Sequence, residues 1–399
     1  VKIREHQSRI ILLFVQSPRF KESIDAEQVA DCIAKGIVRA IPDVRIFKVP
    51  LVDGGEGFTK TIVAATDGTL HHLEVTGPVG EKVTAHFGFL GKTKVKTAVL
   101  EMAAAAGLRL VPSDLRNPLV TTTYGVGELI KAALDAGAER ILVGCGDSGT
   151  NDGGAGMAQA LGVKLLDDHG KELGLGCSEL IKLKQIDISQ RDSRLDKVQI
   201  DVACNWHNVL CGLEGVARVF GPQKGASPEI VDQMELALEH YASAIATHLN
   251  IDVREMPGSG ASGGLGTGLH ALIGAKLYSR YEIVMQYLDL DKLIPEVDLV
   301  ITAEGCIDYQ TPRGKIPAEV AKRAKLYDLP VIALVGTIGE GADLNLHHGI
   351  DHYTSILSYP CQLNEAIAET AILLTNTAEQ IARLLLVGKQ IRRATFAGW

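Results

Sequence analysis

Apolar and polar positions alternate along the chain in two rhythms. Short apolar runs of strand length are followed by stretches in which apolar residues recur every three or four positions. "RIILLFV", residues 9–15, reads as a strand. After the loop "QSPRFKES", Ser23 or Asp25 opens a helix whose apolar face is Val29, Ile33, Ile37 and Ile41. "VRIFKVPLV" is a second strand, followed by "DGGEG" and a short helix. This β-loop-α order predicts parallel strands joined by crossover helices. Near residue 75 the character changes. "LHHLEVTGPVGEKVTAHFGFLG" reads as a hairpin turning at Gly77–Gly80, and "TAVLEMA" and "VQIDVACN" add strands. A long helix then starts at Ser227-Pro228, a cap followed by proline at the first helical position, with Ile230, Met234, Leu238, Tyr241, Ile245 and Leu249 on its apolar face. From about residue 285 the first rhythm returns, with "VDLVITAEG" a strand, "KIPAEVAKRAKLY" a helix, "LPVIALVG" a strand and a final helix over 363–387. The predicted fold class is α/β. Both chain ends, 1–75 plus 285–399, form one doubly wound domain, and a second α/β domain with a mixed sheet is inserted at 76–284.

Composition narrows the partners. The chain has 399 residues, 46% hydrophobic and 22% charged, with a net charge of −8, and its basic residues are scattered. That argues against a nucleic-acid groove or a polybasic membrane face. The early apolar run "IILLFV" is too short for a signal peptide, and no segment reaches the roughly 20 apolar residues of a span. Seven cysteines at irregular spacing do not form a secreted disulfide framework. A reducing cytoplasm is the expected setting, and self-association is left open. Cys204, His207 and Cys211 lie close enough to suggest zinc, but the paired knuckle and fourth ligand of a structural site are missing.

The candidate chemistry gathers on glycine-rich loops. "GCGDSGTNDGGAG", residues 144–156, holds six glycines in thirteen residues. Gly144, Gly146 and Gly149 match G-x-G-x-x-G, with Asp167 or Asp168 following as a ribose partner, which is the dinucleotide fingerprint. A second loop, "PGSGASGGLGTG", repeats the pattern at Gly258, Gly260 and Gly263. A pattern that occurs twice indicates backbone nests for anions more than a dinucleotide. The alternative for both loops is close helix packing without a ligand. No Walker-type P-loop is present, since Gly314-Lys315 is followed by Ile316. Asp147 and Asp152 inside the first loop would repel a bare pyrophosphate and suit a nucleotide carrying Mg²⁺. Further loops at predicted strand ends carry Lys21, Asp53 with Glu56, and Glu304, Asp308, Gln310, Arg313 and Lys315. The mixture of acids and bases suits phosphoryl transfer better than hydride transfer. Any one of these aspartates could equally be a turn or cap residue.

The stretches "FKES", "VDGGEG", "RNPLVTTTYGVGELI", "DSGTNDGGAGMAQALG", "RVFGPQKGA", "PGSGASGGLG" and "ITAEGCIDYQTPRGK" together resemble the bacterial glycerate kinase family that is separate from the P-loop kinases. They occur in family order over nearly the whole chain. The resemblance implies ATP and Mg²⁺, D-glycerate as phosphate acceptor, and a flavodoxin-like domain carrying an inserted α/β domain. It departs from the family pattern at Pro18-Arg19, at "GDSGTNDGG", at Asn205 and at Cys306. The reading that follows is a kinase in which Asp308, or after it Asp53, orients or deprotonates the attacking hydroxyl. Lys21 and Lys315 offset anionic charge, while Glu56, Gln310 and Arg313 contact substrate. Gly144, Gly146, Ser148, Asn151, Gly258, Gly260 and Gly263 hold ATP, and Asp152 and Asp147 hold Mg²⁺. Two rivals stand beside it: an NAD-dependent oxidoreductase using the fingerprint at Gly144, and a catalytically inactive glycerate-binding sensor.

Overall fold

The computed structural model describes residues 11–16, 24, 26–50, 54–91 and 93–396. They form two compact units, one made of residues 1–52 and 285–399 and the other of residues 53–284.

The first unit is a five-stranded sheet in the order His352–Ser355, Val331–Ile338, Leu299–Ile307, Ile11–Gln16, Arg45–Pro50. Every neighbouring pair is parallel. Counted within the unit this is the 2-1-3-4-5 order of doubly wound flavodoxin-like sheets. Alternation sorts the strand residues onto two faces. Leu299, Ile301, Ala303, Ile332 and Leu334 share a core with Val29, Ile33 and Ile37 of the helix Ala26–Ala40 and with Leu374, Ala378 and Ala382 of the helix Leu363–Phe396. These two helices approach closely because position 36 is glycine; a Cβ there would lie 2.1 Å from the Thr375 carbonyl oxygen. Val300, Ala333 and Val335 point to the opposite face, and the helix Ile316–Lys325 packs against their strands.

The second unit is built on a six-stranded mixed sheet. Its order is Lys276–Ser279, Gln199–Cys204, Arg140–Gly144, Thr97–Glu101, Lys82–Phe89, Thr69–Thr76. The first four strands are parallel and the last two form an antiparallel hairpin at the edge. The helix Pro228–Leu249 is capped by the Ser227 hydroxyl, which accepts from the Ile230 N–H, and ends at Asn250 in a left-handed conformation. It buries Met234, Leu238, Tyr241 and Ile245 in the main core.

The units divide after Val52, not near residue 75. The helix Phe58–Ala65 buries Phe58, Ile62 and Val63 and packs on the second sheet. The change of character near residue 75 marks the hairpin turn, where the Gly77 N–H donates to the Glu81 carbonyl, and that turn lies inside a domain.

Candidate active site

Four parallel strands of the second unit end on one side, and their carboxyl ends open into a cavity of about 530 Å³. Strand Thr97–Glu101 leads to Arg109, strand Arg140–Gly144 to Gly146, Asp147 and Ser148, strand Gln199–Cys204 to Asn205 and Asn208, and strand Lys276–Ser279 to Arg280. Glu56, Arg116, Gln223 and Ser262 complete the polar lining. Three arginines against two carboxylates make the cavity suited to an anion that brings its own counter-cation.

The Glu56 loop is set by acids that accept backbone N–H groups. Asp147 Oδ2 accepts the Glu56 N–H at 3.0 Å, and Glu101 accepts those of Gly57 and Thr59 at 3.0 and 2.8 Å. Glu101 thus places a carboxylate on the N-terminus of the helix Phe58–Ala65, where the helix dipole favours it. Burial raises the Glu101 carboxyl, and the hydrogen bonds from Thr59 and Gly57 oppose that shift. His86 Nε2 lies 3.9 Å from Glu101, and burial followed by the charge of Lys60 lowers the imidazole to about 4. Glu56 itself pairs with Arg109 at 2.5 Å.

The glycine-rich segment 144–156 makes way for neighbouring chain. A Cβ at Gly144 would lie 2.5 Å from the Phe58 ring, and one at Gly146 would lie 2.6 Å from Gly55 Cα. The helix Ala155–Ala160 starts too late for the triplet at 144–149 to open it. Asp167 closes a turn by accepting the His169 and Lys171 N–H groups, each at 2.9 Å. These features remove the basis of the dinucleotide fingerprint. The second glycine loop packs on the first. Gly263 has φ +72° and would place a Cβ 1.8 Å from the Thr150 carbonyl oxygen, while its own carbonyl accepts the Gly153 N–H at 3.1 Å. Gly258 and Gly260 face Cys204 Sγ and the Val209 carbonyl in the same close manner. Of the seven cofactor positions expected from sequence, Gly146, Ser148 and Gly263 line the cavity; Gly144, Asn151, Gly258 and Gly260 are absent from its lining.

Asp152 is fully buried and takes a part different from the metal ligand expected. Its carboxylate accepts from the Thr123 N–H at 2.8 Å, the Thr123 hydroxyl at 2.9 Å and the Gly154 N–H at 3.2 Å, with longer bonds from Thr122 and Gly156. Burial raises its carboxyl against those bonds. It organises a loop and offers little to an ion in solution. Asp147, by contrast, lines the cavity. Among the described residues no three His, Cys, Asp or Glu side chains are grouped to hold a metal. In the Cys204–Cys211 stretch, the Cys204 thiol donates to the Tyr278 carbonyl at 3.4 Å, and burial pushes the Cys211 thiol up to about 12.

Lys224 was not among the residues singled out by sequence. It ends the turn Pro222–Lys224 and is buried, and its ammonium donates to Ser148 Oγ at 2.9 Å, the Thr150 carbonyl at 2.7 Å and Asn151 Oδ1 at 2.7 Å. The glycines on either side, in "FGPQKGA", mark the turn, but nothing local marks the burial.

In the first unit, Asp308 and Lys315 form an ion pair at 2.9 Å. Asp308 Oδ1 also accepts the Gln310 N–H at 2.9 Å, and Thr311 bonds both its backbone and its side chain. Burial opposes ionisation there, but the Lys315 ammonium and the Gln310 N–H hold the Asp308 carboxyl below the usual carboxylate range. Arg313 lies over the Tyr309 ring at 5.7 Å, and the Gln310 amide donates to the Tyr309 hydroxyl at 3.1 Å. Glu304 is buried on the preceding strand. The stretch "GTIGEG" pairs back onto this loop, through Gly339 N–H to the Ile307 carbonyl and Tyr309 N–H to the Glu340 carbonyl. Lys21, Asp53, Pro18 and Arg19 lie outside the described residues.

Comparison with known proteins agrees with this architecture. The model of the glycerate kinase family matches residues 13–386. A glycerate kinase of Haemophilus influenzae is 46% identical over 93% of this chain and 98% of its own length. A glycerate 2-kinase of Escherichia coli is 47% identical over 92% of this chain and 96% of its own. A solved structure described as that of a glycerate kinase 2 from Salmonella typhimurium LT2 superposes with a TM-score of 0.85 at 44% identity, covering 96% of this chain and all of that one. The chain is an enzyme and belongs to the glycerate kinase family.

Proposed function

We propose that this enzyme transfers a phosphoryl group from ATP with Mg²⁺ to the 2-hydroxyl of D-glycerate, in a reducing, cytoplasmic setting. The observation that carries the reading is the cavity at the four strand ends, where Arg109, Arg116 and Arg280 meet Asp147 and Glu56. The name of the Escherichia coli relative supports the 2-position.

Arginines hold phosphate or carboxylate oxygens in a fixed planar fork. Asp147 and Glu56 bring carboxylate oxygens to the same cavity, which fits an ion that takes one or two carboxylates and completes its shell with phosphate and water. Asp147 and Glu56 would hold Mg²⁺, which would supply positive charge to offset that of the phosphate oxygens. Asp308 orients the attacking hydroxyl; its lowered carboxyl makes it a weak base, so orientation carries more of its effect than proton abstraction. Lys315 keeps that carboxylate ionised and aimed. Lys21 and Asp53 remain candidates for charge neutralisation and for a second carboxylate.

The test is ADP release from MgATP with D-glycerate, L-glycerate and glycerol, with the product identified by phosphorus NMR. D-glycerate should react and give the 2-phosphate. Glycerol should be poor, because a site built for a carboxylate leaves its cations unpaired without one. Equal turnover of glycerol, or no ADP release with D-glycerate, would overturn the reading.

A further inference from the structure

The cavity wall at Ser148 is held from two sides. On one side the backbone of 147–149 is laced to 106–108: the Leu108 N–H donates to the Asp147 carbonyl at 2.9 Å, the Gly149 N–H donates to the Ala106 carbonyl at 2.9 Å, and Gly107 and Ser148 form a β-bridge. On the other side stands the buried Lys224 ammonium, which is outside the cavity lining. An ammonium has three N–H donors and no acceptor. Here the three find Ser148 Oγ, the Thr150 carbonyl and Asn151 Oδ1, all within 2.9 Å. A hydroxyl oxygen that accepts such a bond keeps its own hydrogen for another direction.

We infer that Lys224 is a positioning residue for the reaction: by making Ser148 Oγ an acceptor on its buried side, it turns the Ser148 O–H into the cavity as a donor to the anionic ligand. This rests on the cavity being the ligand site proposed above. Its chemistry is that of an oriented dipole in a partly dry site, where a fixed donor is worth more than in water. A neutral amine has two donors and a lone pair, so loss of the proton would let the Ser148 hydroxyl turn inward and donate to nitrogen. Burial lowers the Lys224 ammonium to about 7, with Asp152 and Cys177 the facing groups that raise it again. Burial raises both of those groups in turn.

The experiment is a double-mutant cycle on the full chain with Ser148→Ala, Lys224→Met and the pair, reading kcat and KM for ATP and glycerate, with melts to confirm folding. Each single change should lower kcat/KM by roughly 10- to 100-fold, and the double should be within about threefold of the worse single. Ser148→Thr, which keeps the hydroxyl, should recover most of the loss. Multiplying losses would overturn the inference while leaving the cavity as the site. Full activity in Ser148→Ala would also overturn the inference, and full activity in both Ser148→Ala and Arg109→Met would overturn the cavity reading itself. If Lys224→Met does not fold, pH profiles decide. Wild-type kcat/KM should decline as pH rises above about 7, and Ser148→Ala should lack that limb. The same limb in both proteins would overturn the inference.

Discussion

The Lys315 ammonium lies 2.9 Å from the Asp308 carboxylate, at the N-cap of the helix Ile316–Lys325. A lysine at a helix start opposes the dipole and calls for an anion beside it. The compensating anion is part of the chain. Asp308→Asn keeps the shape and removes the charge. It should lower kcat by roughly 100-fold with a smaller effect on the KM for ATP, because orientation of the acceptor acts in the transition state. The pair also sets a pH dependence. The Asp308 carboxyl is lower in the folded protein, so its contribution is present above the ordinary Asp value of about 3.9 and is lost as pH falls below it. Urea melts should show a smaller acid loss in Asp308→Asn than in the wild type.

Asp152→Asn should act on stability first. An amide presents an NH₂ to the Thr123, Gly154 and Gly156 N–H groups, which cannot accept, and to two threonine hydroxyls that already accept from the Tyr124 and Met157 N–H groups. The expected loss is about 2–4 kcal/mol. Denaturant melts measure it directly. A stable variant with a weakened requirement for Mg²⁺ would return Asp152 to the metal.

Arg109→Met should raise the KM of an anionic substrate about tenfold or more, and Glu56→Gln should do less, since the arginine lines the cavity and Glu56 partly neutralises it. Steady-state kinetics at low and moderate salt would check this, with the arginine effect shrinking as salt rises. Unchanged constants in Arg109→Met would remove that side chain from the site.

His86 should make the fold acid-sensitive. Its imidazole is lowered to about 4, so above pH 6.5 it is neutral folded and unfolded alike, and between 6.5 and 4 only the unfolded chain takes up the proton. Stability is therefore lost as pH falls through that window. From pH 7 to pH 5 the wild type should lose about 2 kcal/mol more than His86→Gln in parallel urea titrations. Equal losses would mean that His86 titrates normally.

Two glycines with positive φ should respond unequally to alanine. Gly57 has φ +87° with nothing within 4 Å, so Gly57→Ala should cost only about 1 kcal/mol of backbone strain. At Gly263 the added Cβ meets the Thr150 carbonyl, and the loss should be several times larger, on the order of 3 kcal/mol or more, with lower activity because the segment 148–151 must move. Thermal melts of both variants test the contrast.

Residues that announce themselves through near neighbours were legible. Val29, Ile33 and Ile37 recur at helical spacing and form one buried face, and Ser227-Pro228 caps a helix where side chain and backbone meet locally. The βα rhythm of 299–338 likewise led to parallel strands with a packed helix, because each element's period is set within a few residues. The family motifs were legible too, since they are local strings. What the tertiary structure decided depends on contacts between distant parts of the chain. The glycines of 144–156 looked like a phosphate cradle, yet Gly144 and Gly146 yield to Phe58 and Gly55, about ninety residues earlier. Arg109 and Arg116, which follow strand Thr97–Glu101, and Arg280, which follows strand Lys276–Ser279, line one cavity only because the parallel sheet brings those strand ends to the same side. In the sequence Asp152 reads as a ligand for Mg²⁺, and nothing local marks Lys224. Burial, which follows from the whole packed core, turns the first into a loop organiser and the second into the hidden support of Ser148.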